Sequence, residues 1–127
     1  MKYLTTLFVL VVVLAPFTAS AYSNKCECVR FLREEMGVNI KGDARTIFPN
    51  ASMWNVNYGD VLLLRYGKVS HAAQVIGFTW VEGRQEPLTM RVIEANYERC
   101  KVSIRDIKWN SPEIRGLYKP QPPLAAL

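Results

Sequence analysis

The hydrophobic positions of this chain repeat first with the period of a helix and later with the period of strands. Asn24 can cap a helix, and Glu27, three residues later, completes a capping box. Gly37 is a natural helix end. The apolar residues between them lie on one broad helical face: Cys28, Val29, Phe31, Leu32 and Met36. The pattern predicts a helix that begins at Asn24 and ends near Gly37.

Strand-like runs follow, and clusters of glycine, asparagine or proline separate them. They cover residues 61–66, 72–79, 89–95, 102–107 and 114–118. The stretch 41–57 has mixed polarity and predicts one short helix and a loop, and 81–87 predicts a polar hairpin loop. A helix followed by strands with short connections predicts an α+β fold, in which the N-terminal helix packs on an antiparallel β-sheet.

Residues 1–21 have the features of a signal peptide. Lys2 provides a positive start, residues 4–17 form an almost uncharged apolar run, and Ala19-Ser20-Ala21 has the small-x-small form of a cleavage site. We expect one domain at 22–120 and a flexible tail at 121–127. The protein is expected to be secreted, or in the periplasm or cell wall. An uncleaved membrane anchor is the alternative, although the run is short for a span of about 20 residues.

Composition narrows the choice of partners. The formal net charge is +5, which favours an anionic neighbourhood, but there is no dense basic run and no recognisable nucleic-acid motif. We therefore expect a monomer that binds no nucleic acid and is not inserted in a membrane after signal cleavage. Cell-wall polymers, lipid headgroups or an acidic inhibitor are the expected anionic partners.

Three polar side chains indicate acyl-transfer chemistry. Cys28 lies in the opening turns of the predicted helix, where unpaired amides and the positive dipole end favour a thiolate and can donate to an oxyanion. His71 is the only histidine, so it is the only candidate imidazole base. Glu94 and Asn96 alternate at the end of a hydrophobic run and share one face of a strand. A cysteine, a histidine and a group that orients the histidine form a hydrolase constellation.

A series of short motifs resembles CHAP domains, the cysteine- and histidine-dependent amidohydrolase/peptidase family. Each motif is short, but their order along nearly the whole mature chain is that of the family. The motifs are Cys28-Val29-Arg30-Phe31-Leu32, Gly42-Asp43-Ala44, Gly59-Asp60-Val61, Ser70-His71-Ala72-Ala73-Gln74-Val75, Glu94-Ala95-Asn96-Tyr97 and Gly116-Leu117-Tyr118-Lys119-Pro120. The chain departs from the family at Glu27, where many members have glutamine, at Ser70, where they have glycine, and at Ala72, where they have valine.

The resemblance implies a papain-like fold and a catalytic domain at 22–120 that needs no cofactor or metal. Cys28 would attack an amide carbonyl, His71 would act as base and then acid, Glu94 would orient the imidazole, and Asn96 would be a supporting amide. The implied substrate is peptidoglycan or another peptide, cut at the sugar-to-peptide amide or within the peptide. Glu27 would oppose thiolate formation unless the helix cap engages its carboxylate.

The remaining cysteines are expected to pair. Cys26 points away from the catalytic side of the helix, and the resemblance places Cys100 near the start of that helix. We therefore expect a Cys26–Cys100 disulfide with Cys28 free, and three free thiols as the alternative.

Two other function classes compete with the enzyme. A CHAP-like module could bind wall fragments without cutting them. A structural zinc domain could use Cys26, Cys28, Cys100 and His71, although a C-x-C pair with two isolated partners is poor ligand spacing.

Overall fold

A computed structural model describes residues 27–96 and 101–121 of the chain. The described residues form a five-stranded antiparallel sheet and a seven-residue helix, α1, at Cys28–Glu34. The strands are β1 (Val61–Tyr66), β2 (Val69–Thr79), β3 (Thr89–Asn96), β4 (Lys101–Lys108) and β5 (Ile114–Tyr118). Their order across the sheet is β4-β3-β2-β1-β5, so the hairpins β1–β2, β2–β3 and β3–β4 lie side by side and β5 returns to pair with β1.

The strand predictions are confirmed, with small differences at the ends. β1 and β5 have the predicted bounds, β3 is one residue longer at its end, β4 is one residue longer at each end, and β2 begins three residues earlier than predicted. The early start follows from the connection to β1, because Tyr66 already pairs with Val69 across a two-residue turn. Gly67 in that turn has φ 58°, a left-handed conformation that glycine adopts without strain.

The predicted helix is present but shorter than expected. Its N-cap is Glu27, whose carboxylate accepts hydrogen bonds from the backbone N–H groups of Val29 and Arg30. Asn24, the predicted cap, lies outside the described residues. At the other end, Gly37 has φ 67° and Val38 donates to the carbonyl of Leu32, so the turn is closed beyond Glu34.

The predicted α+β, papain-like fold class is wrong, because the described chain is mostly antiparallel sheet with little helix. The short helix predicted within 41–57 is a one-turn 3₁₀ helix, Met53–Asn55, and the rest of the stretch has no helix. Local side chains explain why residues 43–46 form a turn. Asp43 accepts from the N–H groups of Arg45 and Thr46, and Thr46 Oγ1 accepts from the Asp43 N–H. Such bonds satisfy the backbone in turns and so compete with helix formation.

Apolar side chains pack on both faces of the sheet. On the near face, α1 covers β2 and β3, and its buried residues pack with Leu63, Ala72 and Ala95. A second cluster covers the far face: Leu62, Leu64, Ala73, Val75, Met90, Val92, Ile107 and Leu117. Residues 61–64 of β1 are therefore buried consecutively, two on each face, which is typical of a central strand covered on both sides.

Within residues 27–96 and 101–121, no helix has the length and apolar character needed to cross a membrane.

Candidate active site

Three of the predicted site residues lie together. Cys28 is the first residue of α1 and only 7% exposed, His71 is the third residue of β2, and Glu94 is near the end of β3. Nε2 of His71 is 3.0 Å from Oε2 of Glu94, and both side chains are almost fully buried. The hydrogen bond between an imidazole and a buried carboxylate fixes the orientation of the ring.

The sheet opens at the position of these residues. The pairing between β2 and β3 stops with Gln74 opposite Ile93, although β2 starts at Val69 and β3 continues to Asn96. His71 lies opposite Leu64 of the far-face cluster, whereas Cys28 packs in the near-face cluster. We infer that the unpaired strand ends allow the Cys28 side chain to approach the imidazole, because Cys28 is one of the two neighbours that raise the pKa of His71.

The surroundings of His71 favour its charged form. Burial alone would lower its pKa, but hydrogen bonds to Cys28 and Glu94, and the negative charges on both partners, raise the pKa from 6.5 to about 9. The Nε2 position is occupied by Glu94, so Nδ1 is the ring nitrogen available to Cys28. At neutral pH the geometry therefore holds an imidazolium between a carboxylate and a sulfur atom.

Glu27 is engaged by the helix cap. Its Oε1 accepts from the Val29 N–H at 3.0 Å and its Oε2 from the Arg30 N–H at 2.7 Å. Sγ of Cys28 lies 3.5 Å from the same Oε1 atom. The expectation that first-turn amides bind an oxyanion stays a prediction, and in this structure Glu27 occupies the amides of Val29 and Arg30. A substrate oxyanion would need other donors, or would have to displace this carboxylate.

Arg105 is a site residue that the sequence analysis missed. Its Nε donates to Oε1 of Glu94 at 2.6 Å, and its Nη1 donates to Glu113 at 3.1 Å. The guanidinium also lies 5.5 Å from the centre of the Tyr66 ring, which in turn is 6.0 Å from the His71 ring. Arg105 and His71 thus hold the two oxygens of Glu94 between them, so the carboxylate has one fixed orientation.

A weak sequence signal for Arg105 existed in β4. Ser103, Arg105 and Ile107 alternate onto one face of the strand, and Ile107 is buried there. An arginine on the same strand face as a buried isoleucine predicts that its guanidinium has a buried partner. Which residue is that partner depends on the register of β3 and β4, which places Arg105 opposite Val92. That register is a long-range feature of the sheet.

The other predicted site residues are only partly described. Asn96 ends β3 opposite Lys101, and its role as a supporting amide stays a prediction. Cys26 and Cys100 lie outside the described residues, so the disulfide and the four-ligand zinc alternative also stay predictions. Cys28 is a free cysteine.

No protein-family model, curated protein or solved structure matches this chain. The resemblance to CHAP domains therefore rests on the sequence motifs alone. The arrangement of Cys28, His71 and Glu94 can be interpreted without it, since a sulfur, an imidazole and an orienting carboxylate are the parts that nucleophilic acyl transfer requires.

Proposed function

We propose that this protein is a cysteine amidohydrolase or peptidase that hydrolyses amide bonds of peptidoglycan. The observation that carries the proposal is the pairing of His71 with the buried Glu94 at 3.0 Å, together with the effect of Cys28 and Glu94, which raise the pKa of His71 to about 9. A protonated imidazole beside a sulfur stabilises the thiolate, which is the nucleophilic form of cysteine. The site geometry supports the proposal independently of the papain-like fold, which the sheet does not reproduce.

The reaction would proceed through a thioester. The Cys28 thiolate attacks the amide carbonyl carbon, and the tetrahedral intermediate collapses as the imidazolium of His71 protonates the leaving nitrogen and the C–N bond breaks. Neutral His71 then takes a proton from water, the resulting hydroxide attacks the thioester carbonyl, and the C–S bond breaks to release a carboxylic acid and restore the starting pair. Glu94 keeps the imidazole oriented and stabilises its charge.

Peptidoglycan is the proposed substrate on three sequence observations. The motifs resemble CHAP domains, residues 1–21 have the features of an export signal, and the chain carries a formal net charge of +5. A positive surface favours association with an anionic cell wall.

A wall-binding module without catalysis is the second candidate, and two observations favour it. Cys28 is 7% exposed, and the Val29 and Arg30 amides that an oxyanion would use are bound to Glu27. The burial limits access to the sulfur, and the bonds to Glu27 remove donors for an oxyanion.

Digestion of purified peptidoglycan distinguishes the candidates. We expect the wild-type protein to release fragments with new amino termini, identified by mass spectrometry. We expect Cys28→Ser and His71→Ala each to abolish release while circular dichroism shows an intact fold.

Inhibitors provide a second test of the digestion. A zinc chelator should leave the rate of digestion unchanged, and an alkylating agent should abolish digestion. Digestion by Cys28→Ser at the wild-type rate would refute the assignment, and binding without digestion by the wild type would establish the module instead.

A further inference from the structure

Aromatic side chains surround a cavity whose lining does not include Cys28, His71 or Glu94. Its volume is about 210 Å³, and it is lined by Trp54, Val56, Asn57, Tyr58, Phe78, Trp80, Gln85, Glu86, Pro87 and Trp109. The chain contains three tryptophans, and all of them line this one cavity. We call this set of residues the aromatic cavity.

Four separate segments build the aromatic cavity, and backbone hydrogen bonds hold them in place. Trp54 lies in the 3₁₀ turn, where its N–H donates to Ser52 Oγ at 3.3 Å. Leu88 connects two further segments, since its N–H donates to the Thr79 carbonyl at 2.7 Å and its carbonyl accepts from the Trp109 N–H at 3.2 Å. The rings are therefore positioned by the fold before any ligand binds.

Three of the rings at the aromatic cavity are largely exposed to solvent. Trp54 is 67% exposed, Tyr58 65% and Trp80 59%. Each is nevertheless in contact with a more buried ring: the centre of the Trp54 ring lies 5.5 Å from that of Trp109, and those of Tyr58 and Trp80 lie 5.1 and 6.1 Å from that of Phe78. Exposed apolar surface of this kind, grouped around a cavity, is typical of a binding site.

The charges at the aromatic cavity select the kind of ligand. Gln85 is an uncharged amide that can donate and accept hydrogen bonds, and Asn57 can donate through its NH₂ group while its Oδ1 accepts from the Tyr58 N–H at 2.8 Å. The one carboxylate, Glu86, is paired with Arg84 at 2.9 Å, so its charge is largely compensated. A strongly charged ligand would find no opposite charge here, whereas a neutral ring with an apolar face and a polar edge would find partners for both.

We infer that the aromatic cavity binds an uncharged saccharide, with a sugar ring stacked on Trp54 or Trp80 and its hydroxyl groups facing the amides. The volume is below the roughly 300–1,000 Å³ of clefts for drug-sized ligands, so the cavity fits a single ring of a longer glycan. The inference depends on the aromatic cavity alone and is independent of any reaction at Cys28.

The aromatic cavity lies on the same face of the sheet as His71. Phe78 lies opposite Met90, and His71 lies opposite Leu64, both members of the far-face cluster. His71 and Phe78 are seven steps apart along β2, about 23 Å at about 3.3 Å per residue. The aromatic cavity and the candidate active site are therefore separate sites on one face of the sheet.

Binding of two neutral glycans tests the inference. The probes are a β-1,4-linked tetramer of N-acetylglucosamine and a β-1,4-linked tetramer of glucose, neither of which contains a peptide bond. We expect at least one of them to change the intrinsic tryptophan fluorescence of the full chain, because every tryptophan lines the aromatic cavity. Isothermal titration calorimetry then measures the affinity.

Trp54→Ala and Trp80→Ala should each weaken binding about tenfold, because each removes one stacking surface. Phe48→Ala is the matched control, since Phe48 is 76% exposed and lies outside the aromatic cavity, and it should bind as the wild type does. Failure of both tetramers to bind, or equal binding by all three variants, would overturn the inference. A dimer of the wild type that Trp54→Ala and Trp80→Ala dissociate would also overturn it, because a second copy of the chain would then be the occupant.

Discussion

The charge of the candidate active site depends on the protonation of His71. Its pKa in the folded protein is about 9, above the ordinary value of 6.5. The interactions of the charged ring therefore stabilise the fold fully below about pH 6.5, and this stabilisation is lost as pH rises through 9. The shift corresponds to about 3 kcal/mol of unfolding free energy at most. The rate of hydrolysis requires the imidazolium, so we expect it likewise to decrease as the pH rises through about 9.

Glu94→Gln tests the origin of the raised pKa. The glutamine oxygen can accept from Arg105, but its NH₂ group would then face Nε2 of His71 and cannot accept from it. We expect the pKa of His71 to fall by about one unit or more, with hydrolysis reduced but not abolished. Because His71 is the only histidine, its ring protons can be assigned and titrated directly by NMR.

Asp106→Asn is the matched control for this titration. Asp106 is also a strand carboxylate paired with an arginine, at 3.0 Å from Nε of Arg91, but it lies on the exposed surface. It should leave the His71 titration unchanged. A wild-type His71 that titrates near 6.5, or an equal shift in both variants, would show that Glu94 does not hold the charged ring.

At the scale of the elements, β5 is fixed against the loop that precedes the 3₁₀ turn. A Cβ added at Gly116 would lie 2.7 Å from Cβ of Pro49, a rigid ring that cannot move aside easily. We expect Gly116→Ala to lower the free energy of unfolding by about 1–3 kcal/mol, measured by urea denaturation. Gly77→Ala in β2 is the control, because its Cβ would make only an ordinary 3.5 Å contact with Arg91. Equal stability of the two variants would contradict this account of the packing.

Local sequence signals predicted the elements better than the fold class. Alternating apolar residues bounded by Gly67 and similar turn residues were sufficient for the strands, because both signals act within a few residues. The amount of helix was overestimated because Glu27 replaces Asn24 as the described cap and Asp43 engages its neighbours in a turn.

The candidate site was predicted in part for the same reason. Cys28 and His71 are rare residue types in this chain, and Glu94 follows a hydrophobic run, so composition and position were enough to select all three. The contact of Arg105 with Glu94 depends on the register of β3 with β4. The occupation of the Val29 and Arg30 amides depends on the rotamer of Glu27. Neither property is encoded within a short window of sequence.

For the molecule as a whole, strand β2 connects the two candidate sites. Its first residues hold the imidazole where β2 and β3 are unpaired, and its last residues hold Phe78 beside the aromatic cavity. The middle of β2, which is paired with β1 and contains the buried residues Ala73 and Val75, separates the two sites. A glycan site at one end and an amide-cleaving site at the other would suit a polymer that contains both sugars and peptides.

The central claim is that His71 makes Cys28 a nucleophile, and the rate of alkylation at Cys28 tests it most directly. Iodoacetamide is added at pH 7, and fragment-ion mass spectrometry distinguishes Cys28 from Cys26, which lies in the same tryptic peptide. The same reaction in urea provides the rate for the unfolded chain. We predict that folded wild-type Cys28 reacts faster than the unfolded chain and that His71→Ala slows this reaction about tenfold or more. Equal rates in folded wild type and His71→Ala, or a folded Cys28 that reacts only after unfolding, would contradict the account.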